Sequence, residues 1–174
     1  MDGQKNITTE NLSEVDPRIQ YFAKSVEYWV KRCQFATLTP EVPTDIADLL
    51  EVARGAMIYG WFYYPLLTLG VEQCFRCLET AARIRAKQLG IPTERIDPKR
   101  GPIPETFARL VRQLHQTGAI RSDDLLRWDV GRDLRNLVSH PGQQMIFMPG
   151  QVVGLLDDTI ELVIRLFRVQ PTAT

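Results

Sequence analysis

Between Pro65 and Gly90 the chain carries Leu67, Val71, Cys74, Leu78 and Ala81, an apolar row at 4-3-4-3 spacing. No proline falls inside that interval. The spacing keeps one face of an α-helix apolar over about four turns and makes a seam that other helices must cover. A strand would need alternation with period two, and the row has none. Glu72, Arg76, Glu79 and Arg83 run along the flank at i,i+3 and i,i+4 spacing, suited to ion pairing. Gly90 and Pro92 stop the helix. Such a helix gains its stability from tertiary packing, so the rest of the chain must supply the cover.

Helical periodicity is what the rest of the chain offers. Asp16 followed by Pro17 reads as an N-cap with proline at the first helical position. From there Ile19, Phe22, Val26, Trp29, Val30 and Cys33 fall on one stripe. Thr39 to Thr44 is a linker, with Thr44 able to cap a helix whose buried face is Ile46, Leu49, Leu50, Ala53 and Met57. Pro65 then kinks or divides the helix. Arg95 to Pro104 reads as an irregular loop. A shorter helix is expected from about Glu105 to Thr117, with Gly118 just beyond it. Ser122 caps the next, which carries Leu126, Val130 and Leu134 inward. A last helix, from about Gln151 to Arg168, is apolar at Val152, Leu156, Ile160, Val163 and Phe167. Strand-like alternation is confined to a short piece near Met145 to Met148. The expected fold is all-α, an up-and-down bundle of about four main helices with short extras.

At 174 residues the chain suits one domain with a real core. Residues 1–15 read as a flexible lead, 16–169 as the helical domain and 170–174 as a tail. The balance of 21 Lys+Arg against 21 Asp+Glu gives no global field for nucleic acid, though a local basic patch is compatible with it. Sixteen of the cations are Arg, the residue shaped for bidentate phosphate contacts, although genomic bias explains that equally well. No run of 18 apolar residues occurs, so no membrane span is expected. The polar N-terminus and three cysteines, an odd number, fit a reducing cytoplasmic setting.

The chemistry-bearing stretch is Leu134 to Gln143, "LRNLVSHPGQ". On a continuous helix, residues five apart lie about 140° apart, so Arg135 and His140 would diverge. The residue before a proline is pushed out of the α region, however, so His140 should sit at or beyond a helix end. The chain can then turn its imidazole back toward Arg135. Arg can neutralise phosphoryl oxygens, and His can move a proton near neutral pH. The plainer alternative is an Arg and a His satisfying the C-terminal carbonyls of a helix.

Arg135-Asn136-Leu137-Val138-Ser139-His140 resembles the R-x4–6-H motif of HEPN domains, with Asn136 in the polar position that typically follows the Arg. The motif's place, after long antiparallel helices and before a final apolar one, also resembles that family. The resemblance implies an all-α HEPN-like domain that dimerises so that two Arg/His pairs share a cleft. It implies a metal-independent endoribonuclease acting on single-stranded RNA as a toxin or defence effector, with a cognate antitoxin as a further partner. By the same resemblance Arg135 stabilises the scissile phosphate, His140 performs acid/base chemistry, and Asn136 orients the phosphate or the His. No cofactor or metal is implied. The alternative within the family is a catalytically silent module binding RNA, a nucleotide or a partner protein.

Other features have plainer readings beside functional ones. Glu72 could orient Arg135 across the bundle, or pair with Arg76 in solvent. Trp61, Phe62, Tyr63 and Tyr64 could stack bases, with Tyr63 at the edge of the site, or serve as core or dimer interface. Cys74 and Cys77 form a C-x2-C inside a helix without a second pair, which suits buried structural thiols better than a metal or redox centre. His115, late in a short helix, reads as a surface residue.

Overall fold

A computed structural model of the chain describes residues 5–34, 37–138 and 146–168. Among these residues the architecture is an all-α helical bundle with one small hairpin. The long helix α4 (Leu66–Gln88) runs through its middle. Leu67, Val71, Cys74, Leu78 and Ala81 are all buried, as the seam requires.

Helix α3 (Thr44–Tyr59) packs back along α4, with Ile46, Leu50, Ala53 and Met57 inward. Pro65 divides the two rather than kinking one helix, and Gly60 closes the first. Gly70 permits the close approach: a Cβ there would lie 2.5 Å from Met57 Cγ and 3.0 Å from the Ala53 carbonyl oxygen. Thr44 begins α3 instead of capping it; Pro43 holds the cap position without a side-chain bond. On another side of α4 lies α7 (Pro149–Arg168), which starts slightly earlier than the sequence suggests. It buries Val152, Leu156, Ile160, Val163 and Phe167.

The single helix expected after Asp16 is two short ones, α1 (Pro17–Gln20) and α2 (Val26–Arg32). Ser25 is the cause. Its backbone is extended, and its hydroxyl accepts from the Tyr28 N–H at 3.2 Å, which starts a new helix. The stripe is broken accordingly, and Phe22 is exposed. Trp29 is buried and donates its indole N–H to the Met57 carbonyl at 2.9 Å.

Asp16 ties this end together. It is fully buried and accepts from Arg18 Nη2 at 2.7 Å, Arg18 Nε at 2.9 Å and the Tyr64 N–H at 2.9 Å. Burial alone would raise its carboxyl, but the Arg18 guanidinium and these N–H donors outweigh it and hold the group below its ordinary value. The described part of the N-terminal lead is anchored nearby, with Lys5 Nζ donating to the Phe62 carbonyl at 3.0 Å.

Arg95 to Pro104 is not irregular. It holds β1 (Glu94–Asp97) and β2 (Gly101–Pro104), paired antiparallel with Arg95 opposite Ile103. Asp97 Oδ1 accepts from the Lys99 and Arg100 N–H groups, and Gly101 adopts a φ of 75°, which closes the turn. The prolines of β2 are tolerated because a two-stranded sheet is all edge. Where the sequence does show strand-like alternation, residues 146–148 are not in a strand, and Met145 lies outside the described residues.

Helix α5 (Phe107–Gln116) is capped by Thr106 and followed by Gly118 at a φ of 76°. Helix α6 (Ser122–Val138) then returns beside it. Its inward face differs from the expectation. Leu126 and Val130 are exposed, at 73% and 47%, while Trp128 is 1% exposed and Leu134 is only partly buried. Trp128 buries more apolar area than either aliphatic residue, and its ring meets Phe107 edge-on at 6.2 Å. Asp124, also buried, pairs with Arg165 of α7 at 2.9 Å. Together these contacts fix the rotation of α6.

Candidate functional site

Arg135 lies in the last turn of α6, and its side chain is 43% exposed. Its Nη2 donates to Glu79 Oε2 of α4 at 3.2 Å, and its Nη1 to Asn136 Oδ1 at 3.3 Å. Gly131 explains why α6 comes this close. A Cβ there would stand 3.0 Å from Leu78 Cδ1. Gly131 and Arg135 are four apart on one face, so the approach at Leu78 brings Arg135 onto the neighbouring Glu79.

Glu79 is shared. Its Oε1 accepts from Arg83 Nη2 at 2.9 Å, and the same nitrogen donates to the Glu105 carbonyl at 2.7 Å. Glu105 is buried and pairs with Arg109 at 3.4 Å. One network therefore runs from Asn136 through Arg135, Glu79 and Arg83 to the start of α5. The carboxylate facing Arg135 is Glu79, not Glu72. Glu72 lies on the same face seven residues earlier, about 10 Å back along the helix axis, and is partly buried.

Tyr63 is partly buried and stands within electrostatic reach of Arg18, at the Asp16 end of the molecule. Tyr64 belongs to the core: it is buried, stacks under Arg18 at 5.0 Å, and donates its hydroxyl to the Phe147 carbonyl at 3.1 Å. That bond fixes the chain just past the motif. Asn136 is exposed. His140, with Pro141 and Gly142, lies outside the described residues.

Cys74 and Cys77 are fully buried free thiols. Burial pushes Cys74 up to about 12 and raises Cys77 as well, which suits packing rather than thiolate chemistry. Among the described residues no group of three or more His, Cys, Asp or Glu side chains is arranged to hold a metal ion. No helix among them is long and apolar enough to cross a membrane.

His115 is not simply a surface residue. It is partly buried, and its Nδ1 lies 2.9 Å from the Ile120 carbonyl oxygen. A carbonyl only accepts, so Nδ1 donates to it, which leaves Nε2 an acceptor in the neutral ring and a second donor in the charged one. With Arg112, Asp129 and Arg132 it lines a cavity of about 160 Å³ between α5 and α6. The sequence offered little sign of this, because its two walls come from separate helices. No family model, no curated protein and no solved structure matches this chain.

Proposed function

We propose that this protein is a HEPN-type endoribonuclease cleaving single-stranded RNA, with Arg135 and His140 as its reacting pair. The observation that carries the reading is Arg135 itself. It stands half-exposed on the last turn of α6, held by Glu79 and Asn136, immediately before the segment that contains His140. A guanidinium so positioned can meet a phosphoryl oxygen while keeping one carboxylate partner.

In the reaction a ribose 2′-oxygen attacks phosphorus and gives up its proton to a base. The bond from phosphorus to the 5′-oxygen breaks, and that oxygen takes a proton from an acid. The products are a 2′,3′-cyclic phosphate and a 5′-hydroxyl. One His140 supplies one proton-transfer group, so a second copy meeting the first at the motif would supply the other. Ile146 and Met148, exposed apolar side chains just past the motif, favour such a contact. A toxin or defence role, with a cognate antitoxin, accompanies this reading.

A second reading has one observation of its own. Glu79 already neutralises Arg135, as it would in a silent module where the arginine only ties α6 to α4. Cleavage separates the two. Wild-type protein incubated with single-stranded RNA in EDTA should yield 2′,3′-cyclic phosphate ends. His140→Ala should lower the rate by about 10² or more. Absence of wild-type cleavage, or equal rates, gives the silent module.

A further inference from the structure

The cavity between α5 and α6 shares one stripe of α6 with the candidate site. Leu125, Asp129 and Arg132 form its α6 wall. At 100° per residue these three and Asn136 fall within about 60° of one another, so the wall's next position is Asn136, beside Arg135. Asp129 lies about 10 Å before Asn136 along the axis, the reach of an adjoining nucleotide.

The lining combines a flat apolar floor with polar edges. Val111 and Leu125 provide the floor. A cavity of about 150 Å³ accepts one benzene ring, so 160 Å³ suits a single six-membered ring. Asp129 is an acceptor, and His115, whose Nδ1 is held by the Ile120 carbonyl, adds Nε2 as a second acceptor when its ring is neutral. Arg112 is exposed and makes no ion pair among the described residues, so it is the cation open to a ligand, whereas Arg132 is held by Asp129 at 2.7 Å and Asp133 at 2.8 Å. Acceptors beside donors complement an edge that presents an amino group next to ring and carbonyl acceptors. Cytosine has that edge, with N4–H2 beside N3 and O2. Uracil presents O4 and N3–H there and would set its carbonyl against Asp129.

We propose that this groove is a subsite for one unpaired base of the RNA strand and that it prefers cytosine. The proposal rests on the ribonuclease reading and deepens it. The base ring lies on Val111 and Leu125, Asp129 and His115 accept from its amino group, and Arg112 donates to its acceptors. The groove thereby sets which nucleotide flanks the cleaved bond.

Binding of non-cleavable RNA tests this directly. Fluorescein-labelled 2′-O-methyl oligonucleotides of cytidine, uridine and adenosine are titrated with the full chain by fluorescence anisotropy. Wild type should bind the cytidine strand roughly tenfold more tightly than the others, the size of one good base-edge contact. Asp129→Asn should bring the ratio to within about twofold, since an amide can also meet uracil. Ala108→Leu, which fills the slot at a partly exposed position, should weaken cytidine binding about tenfold without lowering the melting temperature. Binding with no cytidine preference, or a preference that both variants retain, overturns the subsite and leaves the ribonuclease reading standing. Wild type binding none of the strands overturns that reading, and the subsite with it.

Discussion

Replacing Asp16 tests whether the corner beside Tyr64 is held as described. Asp16→Ala removes the N-cap of α1, which costs about 1 kcal/mol. It also leaves the buried Tyr64 N–H without an acceptor, which costs about 1–3 kcal/mol. Arg18 is 28% exposed at its side chain and can turn to water, so the lost ion pair adds little. The sum is about 2–4 kcal/mol, and at about 2–4 °C per kcal/mol for a chain this size the melting temperature should fall by roughly 5–15 °C. Asp16→Asn keeps one oxygen for the Tyr64 N–H and should lose about half as much. Circular dichroism melts at pH 7 read both variants. A fall of less than about 2 °C for Asp16→Ala would refute the account of this corner.

The same carboxyl gives a pH signature. Its value is depressed in the fold, so its stabilisation is complete above the unfolded carboxylate value of about 4 and is lost as pH falls through the lower folded one. The gap in melting temperature between wild type and Asp16→Asn should therefore narrow from about pH 5 to pH 2; a constant gap would contradict it. Gly70→Val should destabilise by about 1–3 kcal/mol, because its Cβ meets Met57 and the Ala53 carbonyl. Gly154→Ala, with open space around it in α7, should stabilise by up to about 1 kcal/mol, and urea titration of the pair checks the contrast. The three thiols, all fully buried, should react with Ellman's reagent only on unfolding, and a rapidly reacting thiol in the native protein would contradict their burial.

The helices were legible where apolar spacing was regular and long. The seam of α4 and the broad face of α7 could be read directly, since each repeats one pattern over several turns. The α6 face is not legible from spacing, because Leu126, Val130 and Leu134 make a regular row, yet Trp128, Phe107 and the Asp124–Arg165 pair decide the rotation. Only tertiary contact shows that. The hairpin is hidden in the sequence because two prolines obscure β2, while its closure depends on the Asp97 side chain and Gly101. At the site, Arg135 and Asn136 stand out through their motif, but the facing carboxylate does not. Glu72 and Glu79 share one helical face, and which of them meets Arg135 depends on where α6 crosses α4. Gly131, four residues before Arg135 and pressed on Leu78, was the available clue.

Arg135→Ala tests the central claim most directly when cleavage and affinity are measured on the same RNA. An arginine that acts on the scissile phosphate stabilises the transition state more than the bound strand. Cleavage of single-stranded RNA in EDTA should fall by about 10²–10³, with affinity for a 2′-O-methyl strand reduced less than about tenfold. Cleavage unchanged in Arg135→Ala, or lost only in proportion to binding, would contradict the assignment.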